Sequence, residues 1–90
     1  MPVKVHIPAP LRDLTAGQTT VEVEATNVQS ALDALGGQFP GITPRVFAGG
    51  RVKRFINLYV NNEDVRYLDE LATAVKDGDE LSIIPAVAGG

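Results

Sequence analysis

Phe55-Ile56-Asn57-Leu58-Tyr59-Val60 is the strongest strand signal in this sequence. Its aromatic, aliphatic and β-branched side chains suit a pleated, half-buried surface. The two-residue period of a strand puts Ile56, Leu58 and Val60 on one face and Phe55, Asn57 and Tyr59 on the other. The first set can enter a core. The second leaves two aromatic rings outside it, either as a contact face for another protein or beneath a covering loop.

Downstream, Asn61-Asn62 tolerates left-handed backbone and predicts a tight turn into a short strand around Val65 to Tyr67. Leu68, Leu71 and Val75 are spaced for one apolar face of a short helix, and Asp77-Gly78 reads as a turn into a last strand, Leu81 to Ile84. Upstream, Val3, Val5 and Ile7 alternate with Lys4 and His6, and Pro8 and Pro10 end that strand. Leu11 to Gln18 reads as a turn with Leu11 and Leu14 tucked beneath it. Val21 and Val23 alternate with Glu22 and Glu24, so the two N-terminal strands form an antiparallel hairpin. Thr26 or Asn27 can cap a helix whose apolar face is Val28, Ala31, Leu32, Leu35 and Phe39, ended by Pro40-Gly41. The crossover from Pro40 to Arg54 holds one helical turn opened by Thr43-Pro44, and then Ala48-Gly49-Gly50, which reads as flexible.

The chain has 90 residues, 44% hydrophobic and 21% charged, the balance of one small globular domain. No apolar run approaches the roughly 20 residues of a membrane helix, and no basic or apolar leader precedes the first strand. A soluble cytoplasmic protein without membrane contact is expected. Cysteine is absent, which removes disulfides, thiolate metal sites and any side-chain thiol nucleophile together. His6, the single histidine, reads as a surface residue. With no Ser/His/Asp constellation, metal-ligand spacing or phosphate-binding glycine loop, no catalytic residue and no metal are assigned.

Net charge is -3, but it is unevenly placed. Arg45, Arg51, Lys53 and Arg54 occur with no acid between Gln38 and Asn62, whereas seven acids against Arg66 and Lys76 lie between Glu63 and Glu80. Such blocks are either solvated loops or surfaces steered toward a complementary partner. The acidic total and the lack of a basic, aromatic-interleaved stripe argue against nucleic acid.

The chain closes on Pro85-Ala86-Val87-Ala88-Gly89-Gly90. Pro85 cannot donate a ladder hydrogen bond and makes a natural stop for the last strand. Six residues from Pro85 could extend roughly 20 Å, enough to enter another protein's active site. Glycines pass a narrow channel with no side chain to clash. By itself this segment is either a presented terminus or a frayed one. The reading is a domain over 1–84 followed by a flexible tail over 85–90.

Strand, strand, helix, strand, strand, short helix, strand, with one helix over a mixed sheet of four to five strands and a Gly-Gly tail, resembles the ubiquitin-like β-grasp, an α+β fold. Arg54 to Asn61, Glu63 to Arg66, Leu71 to Ala74, Asp77-Gly78-Asp79 and Ile84 to Gly90 carry a more specific resemblance, to the ThiS/MoaD family of sulfur carriers. ThiS proteins are usually shorter and lack a crossover like Thr43 to Lys53. MoaD proteins often have a second proline where this chain has Ala86. Both departures favour the branch used in cysteine biosynthesis. The resemblance implies that an E1-like enzyme, using ATP and magnesium, adenylates the Gly90 carboxylate and converts it to a thiocarboxylate. Pro85, Ala86, Val87, Ala88 and Gly89 would present that group to partner active sites. The implied acceptor is a cysteine synthase-like enzyme or, alternatively, the large subunit of molybdopterin synthase. The carrier itself is a co-substrate rather than an enzyme and holds no cofactor. A ubiquitin-like protein modifier and a plain interaction domain are the remaining alternatives.

Overall fold

The computed structural model describes residues 2–85. In chain order its elements are β1 (Val3–His6), a 3-10 helix (Ala9–Thr15), β2 (Thr20–Val23), α1 (Val28–Gln38), a 3-10 turn (Pro40–Ile42), α2 (Thr43–Val46), β3 (Phe47–Ala48), β4 (Arg51–Val52), β5 (Ile56–Val60), β6 (Glu63–Asp64), 3-10 turns at Val65–Tyr67 and Glu70–Ala72, and β7 (Glu80–Pro85). Five strands form one mixed sheet in the order β2-β1-β7-β5-β6. β1 and β7 run parallel at its centre, Val5 opposite Leu81, and every other pairing in this sheet is antiparallel.

The inner face follows from alternation. Val3, Val5, Val21, Val23, Leu58, Val60, Leu81 and Ile83 all point into the core, and Val28, Ala31, Leu32 and Leu35 of α1 cover them. Burying each valine, leucine or isoleucine side chain contributes about 1.5–3 kcal/mol. The helix starts where its cap dictates: the Asn27 carboxamide oxygen accepts from the Ser30 amide at 2.7 Å, and the Ser30 hydroxyl accepts from the Asn27 amide at 3.1 Å. That reciprocal pair satisfies two amides the helix itself leaves open. Phe39 lies one residue past the helix, half-buried against the core.

Several expectations are corrected. Leu11 to Gln18 is not a bare turn, because Ala9–Thr15 forms a 3-10 helix with Leu11 and Thr15 buried beneath it. The strand expected at Val65 to Tyr67 sits two residues earlier, at Glu63–Asp64. Asp64 accepts the Arg66 amide through its side chain and bends Val65–Tyr67 into a 3-10 turn. No helix unites Leu68, Leu71 and Val75. Leu68 is exposed, Glu70–Ala72 makes one 3-10 turn, and Val75 is buried because its amide donates to the Thr26 carbonyl beside the start of α1. Ala48-Gly49-Gly50 is not a loose connection. Phe47–Ala48 and Arg51–Val52 pair antiparallel around Gly49 (φ 59°) and Gly50 (φ 78°), the positive-φ pair that a type I′ hairpin turn requires.

Gly36 and Gly37 are adjacent in α1 and have opposite surroundings. A Cβ on Gly36 would lie 2.3 Å from the Thr43 hydroxyl oxygen, whereas one on Gly37 meets nothing within 4 Å. Helix propensity alone favours alanine over glycine by about 1 kcal/mol at both. We therefore expect Gly37→Ala to stabilise by up to about 1 kcal/mol and Gly36→Ala to destabilise by about 1–3 kcal/mol through overpacking. Adding Thr43→Ala to Gly36→Ala should recover most of that loss. Urea denaturation midpoints check all three, and a raised midpoint for Gly36→Ala alone would mean that Thr43 swings away without cost.

Candidate functional site

The site is built on the pairing of β5 with β7. Directly opposed residues of an antiparallel pair share a face, and Ile56 lies opposite Pro85, Asn57 opposite Ile84, Leu58 opposite Ile83 and Tyr59 opposite Ser82. Leu58 and Ile83 point toward α1 and are buried. Asn57, Tyr59, Ser82 and Ile84 therefore stand on the open face, where Ile84 is 46% exposed. Asn57 and Tyr59 are half-buried there. Phe55 precedes β5 in a turn closed by the Ile56 amide donating to the Lys53 carbonyl at 2.9 Å, and its ring is 53% exposed.

The structure thus brings Asn57 and Tyr59 together on the strand and sets Phe55 at its entrance. It adds Ile84, which the sequence reading left out of the face. The signal was present: once Leu81 and Ile83 are assigned inward, Ile84 becomes the apolar residue that breaks the alternation. Pro85 is the last paired residue of β7 rather than the first beyond it. Ala86, Val87, Ala88, Gly89 and Gly90 lie outside the described residues.

Polar clamps hold the far ends of these strands. Asn61 and Asn62 turn the chain with φ 49° and 74°, as expected of asparagines in left-handed backbone. The Asn61 carboxamide donates to Asp79 Oδ1 at 3.0 Å and accepts from the Glu80 amide at 3.0 Å, fastening the end of β5 to the start of β7. On the outer strand, Arg66 grips both carboxylate oxygens of Asp64, the shortest contact being 2.7 Å from Nη2 to Oδ2. His6 Nε2 lies 2.5 Å from Glu80 Oε1 on the open face, so the one histidine is engaged across the β1–β7 pair. Among the described residues no three His, Asp or Glu side chains gather in a metal-binding group. What the arrangement offers chemically is a rigid strand end with a mixed apolar and polar face beside it.

One crossing helix over a mixed sheet, with the first and last strands parallel at its centre, is the ubiquitin-like β-grasp. The chain belongs to the ThiS family, whose model matches residues 5–90. It is 43% identical to the sulfur carrier protein CysO of Mycobacterium tuberculosis, with all of both chains covered. A chain in the BexX/CysO complex of Amycolatopsis orientalis is 45% identical with a TM-score of 0.92, over 98% of this chain and 99% of that one. Small archaeal modifier protein 1 of Haloferax volcanii is 35% identical with a TM-score of 0.85, over 100% of both chains.

The carboxylate clamps carry a pH signature. Hydrogen bonds from the Arg66 side chain and amide hold the Asp64 carboxyl below its ordinary range, and the Asn61 carboxamide, with the Lys76 amide and charge, does the same for Asp79. A carboxyl depressed in the folded state stabilises it above the unfolded value of about 3.9, and that contribution disappears as pH falls through the folded value. Both groups should therefore titrate below the ordinary aspartate value in NMR carboxyl titrations of the folded protein. Arg66→Ala should move Asp64 back toward its ordinary value and leave Asp79 in place. An Asp64 titration that ignores this substitution would rule out Arg66 as the cause.

Proposed function

We propose that this chain is a sulfur carrier whose reactive group is the Gly90 carboxylate. The observation that carries the reading is its end-to-end correspondence, through the terminal glycines, with a sulfur carrier protein. The fold is consistent with it: β7, the last strand before the terminal residues, is the central strand of the sheet.

The chemistry follows from what a carboxylate lacks. With a pKa near 3.5 it is ionised at neutral pH and is a poor acyl donor. Attack of a Gly90 oxygen on the α-phosphorus of magnesium-bound ATP expels pyrophosphate and leaves an acyl-adenylate. A sulfide equivalent then adds to the acyl carbon and AMP departs, so one carboxyl oxygen is exchanged for sulfur. The thiocarboxylate is a soft nucleophile. In the cysteine route its sulfur adds to the β-carbon of an enzyme-bound aminoacrylate, and the acyl group shifts from sulfur to the amine to give an amide-linked cysteine. Hydrolysis of that amide releases cysteine and restores the Gly90 carboxylate. No side chain of the carrier takes part. ATP and magnesium belong to the adenylating enzyme.

A second reading, a ubiquitin-like modifier, is favoured by the likeness to the archaeal modifier protein. Both uses begin with the same adenylate and part at the nucleophile, sulfide for a carrier and a lysine amine for a modifier.

Incubation with an adenylating enzyme, ATP, magnesium and sulfide should add one oxygen-to-sulfur exchange to the intact mass, and deletion of Gly90 should abolish it. No change in the wild-type mass would sink the carrier reading. Conjugates to other proteins that survive denaturation and thiols would establish the modifier. The open face should contribute to partner binding. Phe55→Ala and Ile84→Ala are each expected to weaken capture of the adenylating enzyme or the acceptor by fivefold or more, the effect of about 1 kcal/mol at an interface anchor. Unchanged binding of both partners would remove this face from the interaction.

A further inference from the structure

The carrier reading leaves the basic crossover unused, yet the structure gives it a definite form. The β3–β4 hairpin and the turn into β5 form one wall of a groove of about 670 Å³. Its apolar lining includes Val52, Ile56, Leu58, Val65 and Leu71, and its charged lining is Arg51, Lys53, Arg54 and Arg66 against the single acid Glu70. An apolar floor with a charged rim is the layout of a protein docking site rather than of a solvated loop.

Three observations give the groove a direction. First, the backbone that carries its cations is tied to the domain at Lys53. The Lys53 amide donates to the carbonyl of buried Val46 at 2.8 Å, and the Lys53 carbonyl accepts from Ile56. Second, the chain does not neutralise them. Arg66 is paired with Asp64, but Arg51, Lys53 and Arg54 have no ion-pair partner among the described residues. Glu70, the one acid in the lining, makes no ion pair with them either, and Asp79 and Glu80 are engaged at the other end of β5, with Asn61 and His6. Third, Ile56 both lines the groove and pairs with Pro85, the last described residue of β7. A protein that grips the chain directly after Pro85 lays its surface beside this rim.

We propose that the groove receives an acidic segment with an apolar anchor residue from the enzyme that adenylates the terminus. The assignment rests on the carrier reading only in that adenylation is required, and the modifier reading requires it equally. Because that step precedes every acceptor, the adenylating enzyme is the partner that every molecule of this protein must meet. Unpaired cations over low-dielectric walls concentrate the field at the groove and speed encounter with an acidic surface. The apolar floor then supplies the contact that holds it.

The test compares two variants of equal net charge by steady-state kinetics of thiocarboxylate formation with ATP, magnesium and sulfide. In one, Arg51→Gln, Lys53→Gln and Arg54→Gln remove the groove cations. In the other, Lys4→Gln, Arg45→Gln and Lys76→Gln remove three cations outside it. The groove variant is expected to raise KM for the carrier about tenfold, equivalent to about 1.4 kcal/mol, with kcat unchanged. That difference should vanish near 1 M salt, where the screening length falls to about 3 Å. The control variant should stay within twofold of wild type, and circular dichroism melts of both should match wild type. Equal KM values in all three proteins, or an equal rise in both variants, would overturn the proposal while leaving the carrier reading intact. A wild-type chain that acquires no sulfur or adenylate would sink both. Should the triple variant melt early, Arg54→Gln alone, at an exposed turn position, must still raise KM for the proposal to stand.

Discussion

The parallel pairing of β1 with β7 is the constraint on which the rest of the structure depends. Parallel neighbours need a long crossover, and here nearly the whole chain serves as that crossover, from His6 to Glu80. β7 is hydrogen-bonded on both sides, and its inward residues Leu81 and Ile83 are almost fully buried between the sheet and α1. Opening β7 would expose the centre of the core rather than an edge. The last strand is therefore among the last parts of the domain to open locally.

That arrangement separates stability from chemistry. Every hydrophobic residue in the main core cluster lies within residues 3 to 83, and no buried side-chain polar atom among the described residues lacks a hydrogen bond. Among the described residues, left-handed backbone outside glycine is confined to Ala16, Asn61, Asn62 and Glu70, which lie in turns or at the ends of 3-10 helices. The perturbed carboxyls found here, Asp64 and Asp79, are surface clamps on strand ends and turn connections. Their role is to hold β5, β6 and β7 in register.

The elements legible in the sequence are those whose signals are local and agree with one another. The alternation of Val3 to Ile7, Thr20 to Glu24 and Phe55 to Val60 gave the strands, and an N-cap before a 3.6-residue apolar pattern gave α1. Misread elements were those decided by a contact distant in sequence or by a capping side chain. Val75 is buried by a hydrogen bond to Thr26, 49 positions earlier, not by a helical neighbour. Val65 to Tyr67 has the composition of a strand, but Asp64 captures the Arg66 amide and curls it. The Gly49-Gly50 hairpin had a local signal, since two glycines between short extended pairs suit a type I′ turn, but the same two glycines also suit a flexible connection. At the candidate site, the strand face was legible from its period. The position of Ile84 on it required the register of β7 against β5.

The register also explains how one terminus could serve more than one protein. Near the end of β7 the surface differs in chemistry from side to side: Ile84 with Tyr59 on the open face, and the cation-rimmed groove that begins at Ile56 and Asn57. A partner that reads mainly the apolar face and one that reads mainly the charged groove would bind the same strand end with different contributions. Specificity is a difference of affinities, and a surface with two unlike sides lets two partners be tuned separately. A substitution on one side would then shift one affinity and leave the other. Because both sides flank the same strand end, the two partners would nonetheless exclude each other, and the terminus would pass from one to the next only by release. Under the proposed carrier function, mutual exclusion with separately adjustable affinities would keep charging and discharging in order.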